Sequence, residues 1–209
     1  MKVVIAEKPS VARDLARVMG AKDVKDGYIE GNGYAFTYAF GHLVQLCTPQ
    51  AYGYNTWSVA NLPIIPAKFG LEVKKVRKDG KQIDDYGALK QVNIIKGLLE
   101  KAEEIIVATD AGREGELIFR NIYYYLGSKV PFKRLWISSQ TDKAIKEGFA
   151  KLKDGSEYDS LYQSARSRSE SDWLIGINAT QAITLAAGNK GLLSLGRVQT
   201  PTLAMICSR

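Results

Sequence analysis

Two short apolar runs constrain this chain most. Lys2-Val3-Val4-Ile5-Ala6 and Glu104-Ile105-Ile106-Val107-Ala108 each read as a buried strand that runs into a carboxylate, Glu7 in one case and Asp110 in the other. Continuous apolar strands of this length suit a parallel sheet covered on both faces. Each is followed by a helical pattern. After Glu7-Lys8, Pro9 suits a first helical turn, Val11, Leu15 and Val18 face inward, and Gly20 ends the helix. After Asp110, Gly112 is expected to permit a tight turn, and a helix starts around Glu114. Two strand–acid–helix units can bring Glu7 and Asp110 to one sheet edge, where open α/β sheets hold their ligands.

Asp110, Arg113, Glu114 and Glu116 lie within seven residues, a set suited to a divalent metal with a phosphate beside it. Acids in a first helical turn are also favoured by the helix dipole alone, at roughly 0.3–1 kcal/mol each. Both readings stay open on this stretch by itself.

The rest of residues 1–153 continues the alternation. Tyr34–Leu46 reads as an aromatic-rich strand entering Gly41-His42-Leu43, with a structural role the default for His42. An aromatic, proline-punctuated loop region follows, including Tyr52–Trp57 and Leu62–Pro66, and then a strand over Phe69–Val76. Lys74, Lys75, Arg77, Lys78 and Lys81 crowd the Asp79-Gly80 turn, as a solvated face or a phosphate contact. Helices are expected over Asp85–Lys101 and Lys143–Leu152, with a strand at Phe132–Ser138 between them. The order defines an α/β domain with a mainly parallel central sheet flanked by helices.

Lys153-Asp154-Gly155 reads as a boundary, so that 154–209 begins a second, mostly helical and partial domain. Its helix is expected to start at Ser156, capped in the manner of a capping box by the pair Ser156 and Asp159. Arg166 with Glu170, and Arg168 with Asp172, stand four apart on one helix face.

The net charge of +7 favours a polyanionic partner. Cys47 and Cys207 are far apart and match no metal or redox spacing, and with a single histidine and no cysteine cluster a structural zinc site is not expected. No apolar run approaches membrane length, so a cytoplasmic setting is expected.

Glu7-Lys8-Pro9-Ser10, Thr109–Glu116 and Gly196-Arg197-Val198-Gln199-Thr200-Pro201-Thr202-Leu203 occur in one order. Together they resemble the amino-terminal part of type IA DNA topoisomerases of the bacterial topoisomerase III kind, over essentially the whole chain. The resemblance implies a toprim domain, an α/β metal-binding module, followed by the start of a domain that binds single-stranded DNA. It implies that Glu7 handles a proton during strand cleavage and religation, and that Lys8 contacts the scissile phosphate. Asp110 and Glu114 match two acids of the family's D-x-D-x-E magnesium motif, whose middle aspartate falls on Gly112. Mg²⁺ needs only one or two carboxylates with waters and phosphate, so Asp110 and Glu114, joined by Glu7, can still form its site. Arg113 matches the family's neighbouring arginine, and Arg168, Asp172, Arg197 and Gln199 match its DNA-binding positions.

The activity implied is ATP-independent: single strands are cleaved, passed and religated through a 5′-phosphotyrosine, with single-stranded and negatively supercoiled DNA as partners. None of the eleven tyrosines stands in the family's Tyr-x-Arg-Thr context. The chain is therefore expected to be inactive alone, since covalent catalysis needs its nucleophile. Two other readings are a stand-alone toprim nuclease and a non-catalytic single-strand-binding module using basic and aromatic residues. The Gly196–Leu203 run argues against the nuclease.

Overall fold

The computed structural model describes residues 1–78 and 81–209. The Asp79-Gly80 turn, and the side chain of Lys81, lie outside the described residues. The chain packs as two units, Met1–Gln45 with Leu71–Ala165, and Leu46–Gly70 with Arg166–Arg209.

The first unit opens with β1 (Lys2–Ala6), α1 (Pro9–Met19), β2 (Asp23–Lys25), β3 (Tyr28–Gly31) and β4 (Tyr34–Tyr38). Then come β5 (Val44–Leu46), β6 (Leu71–Val73), β7 (Lys75–Lys78), β8 (Lys81–Asp84), α2 (Tyr86–Leu99), β9 (Glu104–Ala108) and α3 (Arg113–Tyr125). It closes with β10 (Phe132–Arg134), α4 (Asp142–Ala150), β11 (Lys153–Asp154) and the start of α5 (Asp159–Ala186). The main sheet has the order β11-β10-β9-β1-β4-β3-β2. Its four central strands, β10, β9, β1 and β4, are parallel, and both edges are antiparallel.

Alternation along β1 explains its unbroken apolar sequence. Val3 and Ile5 join one core with Ile105 and Val107 of β9, under α2 and α3. Val4 and Ala6 point the other way and join Ile106, Ala108, Leu15 of α1 and Ile145 of α4. Val3, Val4, Ile5 and Ala6 are all fully buried, as a strand covered on both faces must be.

Several elements are shorter or divided compared with the sequence expectation. Tyr34–Leu46 splits into β4 and β5, with Phe40 and Gly41 at positive φ between them. Phe69–Val76 divides at Lys74 between β6 and β7, which belong to different two-stranded sheets. Phe132–Ser138 keeps strand pairing only to Arg134. Gly112 has φ 172° and ψ 177°, extended backbone that any residue adopts, so the chain's reversal there does not depend on glycine.

Lys153-Asp154 forms β11 and pairs with Lys133-Arg134 of β10. The capping box also falls earlier than expected, between Asp154 and Glu157, and starts a 3-10 turn (Gly155–Tyr158) that leads into α5. By packing alone, residues up to Ala165 belong with the first unit.

In the second unit the aromatic, proline-rich segment has a partner the sequence did not reveal. Trp173 of α5 donates its indole N–H to the Cys47 carbonyl at 3.0 Å, and its ring meets Tyr52 and Phe69 edge-on. Asn178 bonds both the N–H and the carbonyl of Ile64, at 2.6 and 2.9 Å. The Thr180 hydroxyl accepts from the Leu195 N–H, and the Thr184 hydroxyl from that of Leu193, fixing the run that leads to α6 (Gln199–Cys207). No helix of the described residues is long and apolar enough to cross a membrane.

Candidate metal and phosphate site

β1 and β9 are adjacent, parallel and in register, Ala6 opposite Ala108. The chain leaves β1 into α1 on one face of the sheet and leaves β9 into α3 on the other. That divergence makes the crevice beyond their carboxyl ends a topological switch point, the place where open α/β sheets bind ligands. Glu7, Lys8 and Asp110 meet there. The Asp110 backbone N–H donates to Glu7 Oε2 at 3.2 Å, and Lys8 Nζ donates to Asp110 Oδ2 at 3.2 Å. The Asp110 hydrogen bond, with the Asp110 and Glu7 charges behind it, holds the Lys8 ammonium above its ordinary pKa. Lys8 thus stays cationic at this sheet edge.

Glu114, in the first turn of α3, is solvent-facing and lies 2.6 Å from His42 Nε2. His42 is therefore no core histidine but a partner of an expected metal ligand. Its position, 72 residues from Glu114, left no spacing signal in the sequence. Arg113 is exposed beside it.

Glu116 does not join this group. It is fully buried, accepting from Arg120 Nε at 2.9 Å and lying 3.2 Å from Arg134 Nε in a contact outside hydrogen-bond geometry. A helix-face acid pointing inward between two arginines is structural. Arg120 also donates to Asp159 at 2.7 Å and to the Gly155 carbonyl, with its guanidinium over the Phe132 ring.

Arg134, 1% exposed, is the residue least foreseeable from the sequence. It donates to the carbonyls of Val107, Thr109 and Leu135, and to that of Asp110 at 2.8 Å. It thereby holds the end of β9 and the backbone of Asp110 from beneath. Burial pushes its guanidinium below the ordinary arginine value, opposed by the Glu116 carboxylate. The other side of the turn is stitched by Thr109, whose hydroxyl donates to the Gly115 carbonyl at 2.7 Å. A Cβ at Gly115 would collide with the Asp110 carbonyl, so this glycine is required for α3 to start so close to β9.

Among the described residues no three His, Cys, Asp or Glu side chains are gathered as a ready cage for a metal ion. The oxygen donors present still fit Mg²⁺, which keeps several waters and is held by one or two carboxylates plus substrate phosphate. Asp110 and Glu114 are 52% and 67% exposed at their side chains, open to such a hydrated ion. A Cβ at Gly112 would have nothing within 4 Å, and its φ is extended, so the missing third carboxylate is sterically admissible. Gly112→Asp is expected to fold normally and to tighten Mg²⁺ binding by about tenfold or more, as a further hard oxygen ligand should. Isothermal titration checks this; unchanged affinity in a folded variant would contradict it.

In the second unit, Arg197 grips Asp172 through two nitrogens, at 2.6 and 3.3 Å, and Arg168 Nε lies 3.8 Å from the same carboxylate. The hydrogen bond from Arg197 lowers the Asp172 pKa and raises that of Arg197. Gln199 donates to the Ser194 hydroxyl at 2.7 Å. Arg168, Asp172 and Arg197 thus form one cluster, half-exposed, with Gln199 bonded to the same connecting run. On the basic ribbon, Lys74, Arg77 and Lys78 are exposed, while Lys75 is paired with Asp84 and Glu72.

A parallel sheet with acids and a lysine at its switch point is a toprim-type arrangement, and the chain belongs to the toprim-domain family, whose model matches residues 2–140. A second model, described as DNA topoisomerase, matches residues 156–209. The chain is 51% identical over 211 residues to the DNA topoisomerase 3 of Bacillus subtilis and 49% identical over 212 residues to that of Shouchella clausii. These alignments cover 99% and 100% of the chain but 27% of each relative, so the chain spans about a quarter of their length. The solved full-length topoisomerase I of Thermotoga maritima has the same fold, with TM-score 0.61 and 22% identity over 99% of this chain and 30% of that one.

Proposed function

We propose that the chain is the metal- and phosphate-handling amino-terminal part of a type IA DNA topoisomerase of the topoisomerase III kind, working on single-stranded regions of negatively supercoiled DNA in the cytoplasm. In this reading residues 1–153 are the toprim module and residues 154–209 begin the domain that binds the strand. The observation that carries it is the meeting of Glu7, Lys8 and Asp110 at the switch point of a toprim-family sheet.

The geometry suits an exchange of partners. The Lys8–Asp110 pair is exposed on both sides, and exposed pairs are easily broken. When a phosphate approaches, Lys8 can swing its ammonium to the phosphate oxygens and leave Asp110 free for a cation. Glu114 can leave His42 in the same way. Mg²⁺ held by Asp110 and Glu114, with Glu7 near, would offset the negative charge of the phosphodiester. Glu7, half-buried and anchored on the Asp110 N–H, is placed to hold and return a proton to the oxygen that leaves or attacks the phosphorus. Arg113 adds a cation beside Glu114, and Arg168, Arg197 and Gln199, with Asp172 orienting the two arginines, bind the strand backbone. None of the chain's tyrosines has the sequence context of the family nucleophile, so strand cleavage needs residues beyond these 209.

The test is binding of a dye-labelled single strand by the chain at increasing salt. Affinity should fall steeply, and removing one phosphate-binding cation, by Arg168→Ala or by Arg197→Ala, should reduce the log–log slope by about 0.7. Affinity independent of salt would sink the reading. Nicking of the strand by the chain alone would favour the nuclease instead.

A further inference from the structure

We infer that the cavity between α1 and the segment after β10 is a subsite for one unstacked nucleobase of the bound strand, next to the phosphate held by Lys8. The inference rests on the proposed function and deepens it. The cavity has a volume of about 340 Å³, within the roughly 300–1,000 Å³ of ligand sites. Its floor is apolar, with Val11, Leu15 and Leu135 all buried. Its polar lining comes from two segments, Lys8 just before α1 and Ser139 and Gln140, both exposed, after β10.

Neither a phosphate nor a hydrated cation has a use for an apolar floor. A ligand that matches the whole cavity must carry an anion at one end, flat apolar faces in the middle and hydrogen-bonding atoms at the far edge. A nucleotide has this pattern. The Gln140 carboxamide offers donors and an acceptor, and the serine hydroxyl offers one of each, which suits the mixed edge of a base. The floor is aliphatic rather than aromatic and the space is small, so it suits a single base and not a stacked run. The cavity also opens on the Asp110 side of the switch point, since Thr109 and Asp110 line it. A base seated there would set which internucleotide phosphate lies on Lys8, making the cavity a device for strand register.

The experiment measures, with the 209-residue chain in Mg²⁺ buffer, binding of a dye-labelled single strand and of a series in which one abasic site is walked along it. One abasic position should weaken binding by about tenfold, as the loss of one seated base with its buried apolar face and edge hydrogen bonds should. Gln140→Ala, and Ser139→Trp, which fills the mouth, should each weaken the intact strand similarly and leave the strand that is abasic at that position unchanged. Variants that weaken every strand equally, or none, overturn the subsite while leaving the proposed function standing. Displacement by adenosine monophosphate that Ser139→Trp abolishes, with no sensitive position in the strand, would assign the cavity to a free nucleotide and also overturn it. A chain that binds no strand at all overturns both.

Discussion

Glu116→Ala is expected to lower stability by about 3–5 kcal/mol, because it leaves the buried Arg134 and the largely buried Arg120 without the carboxylate between them. Against a typical total of about 5–15 kcal/mol, that is a large part of what keeps a domain folded. The loss should appear as a shift of the urea midpoint at unchanged slope. Glu116→Gln keeps the shape and one acceptor but not the charge, and its midpoint should fall between those of Glu116→Ala and the unaltered chain. A midpoint for Glu116→Ala equal to that of the unaltered chain would mean that the two arginines do not depend on this carboxylate. The same variant separates the two readings of the acid-rich helix start. A structural Glu116 costs stability when removed, whereas a metal-binding one would chiefly cost Mg²⁺ affinity.

Glu7→Ala should cripple catalysis. In a protein extended to the length of the relatives, Mg²⁺-dependent relaxation of negatively supercoiled DNA should fall by about 10²- to 10⁴-fold, the usual range for a lost general acid or base. Strand affinity should change little, since Lys8, Arg168 and Arg197 remain. Glu7→Gln tests the division of labour further. It can still accept from the Asp110 N–H, so the turn is preserved while the proton carrier is lost. Full relaxation activity in Glu7→Ala would remove Glu7 from the mechanism.

The central strands were legible because burial on both sides leaves no room for polar residues, and β1 and β9 stand out as apolar runs. The helix stops and starts were legible where capping chemistry is local: Gly20 in the left-handed conformation, Asp85 accepting from Gly87 and Ala88, and Thr141 from Ala144. What stayed hidden depends on distant partners. The short strands β2, at the sheet edge, and β3 beside it carry exposed or half-buried residues and no apolar run. The region between Leu46 and Phe69 reads as a loop between strands, and its contacts with Trp173 and Asn178 tie it to the second unit. At the site, Glu7 and Asp110 could be foreseen as neighbours from strand ends alone, whereas Lys8 entered through the family resemblance. The roles of Arg134 and Glu116 could not, since a buried arginine that binds four carbonyls has the same sequence signature as a surface one.

His42 is the chain's one histidine, and its imidazole rests on Glu114. Its ring protons therefore give a single set of resonances in a proton spectrum, free of overlap from any other imidazole. When Glu114 leaves the ring for another partner, that set should move while the rest of the aromatic region stays in place. The protein carries its own magnetic label at the point where its chemistry is proposed to begin.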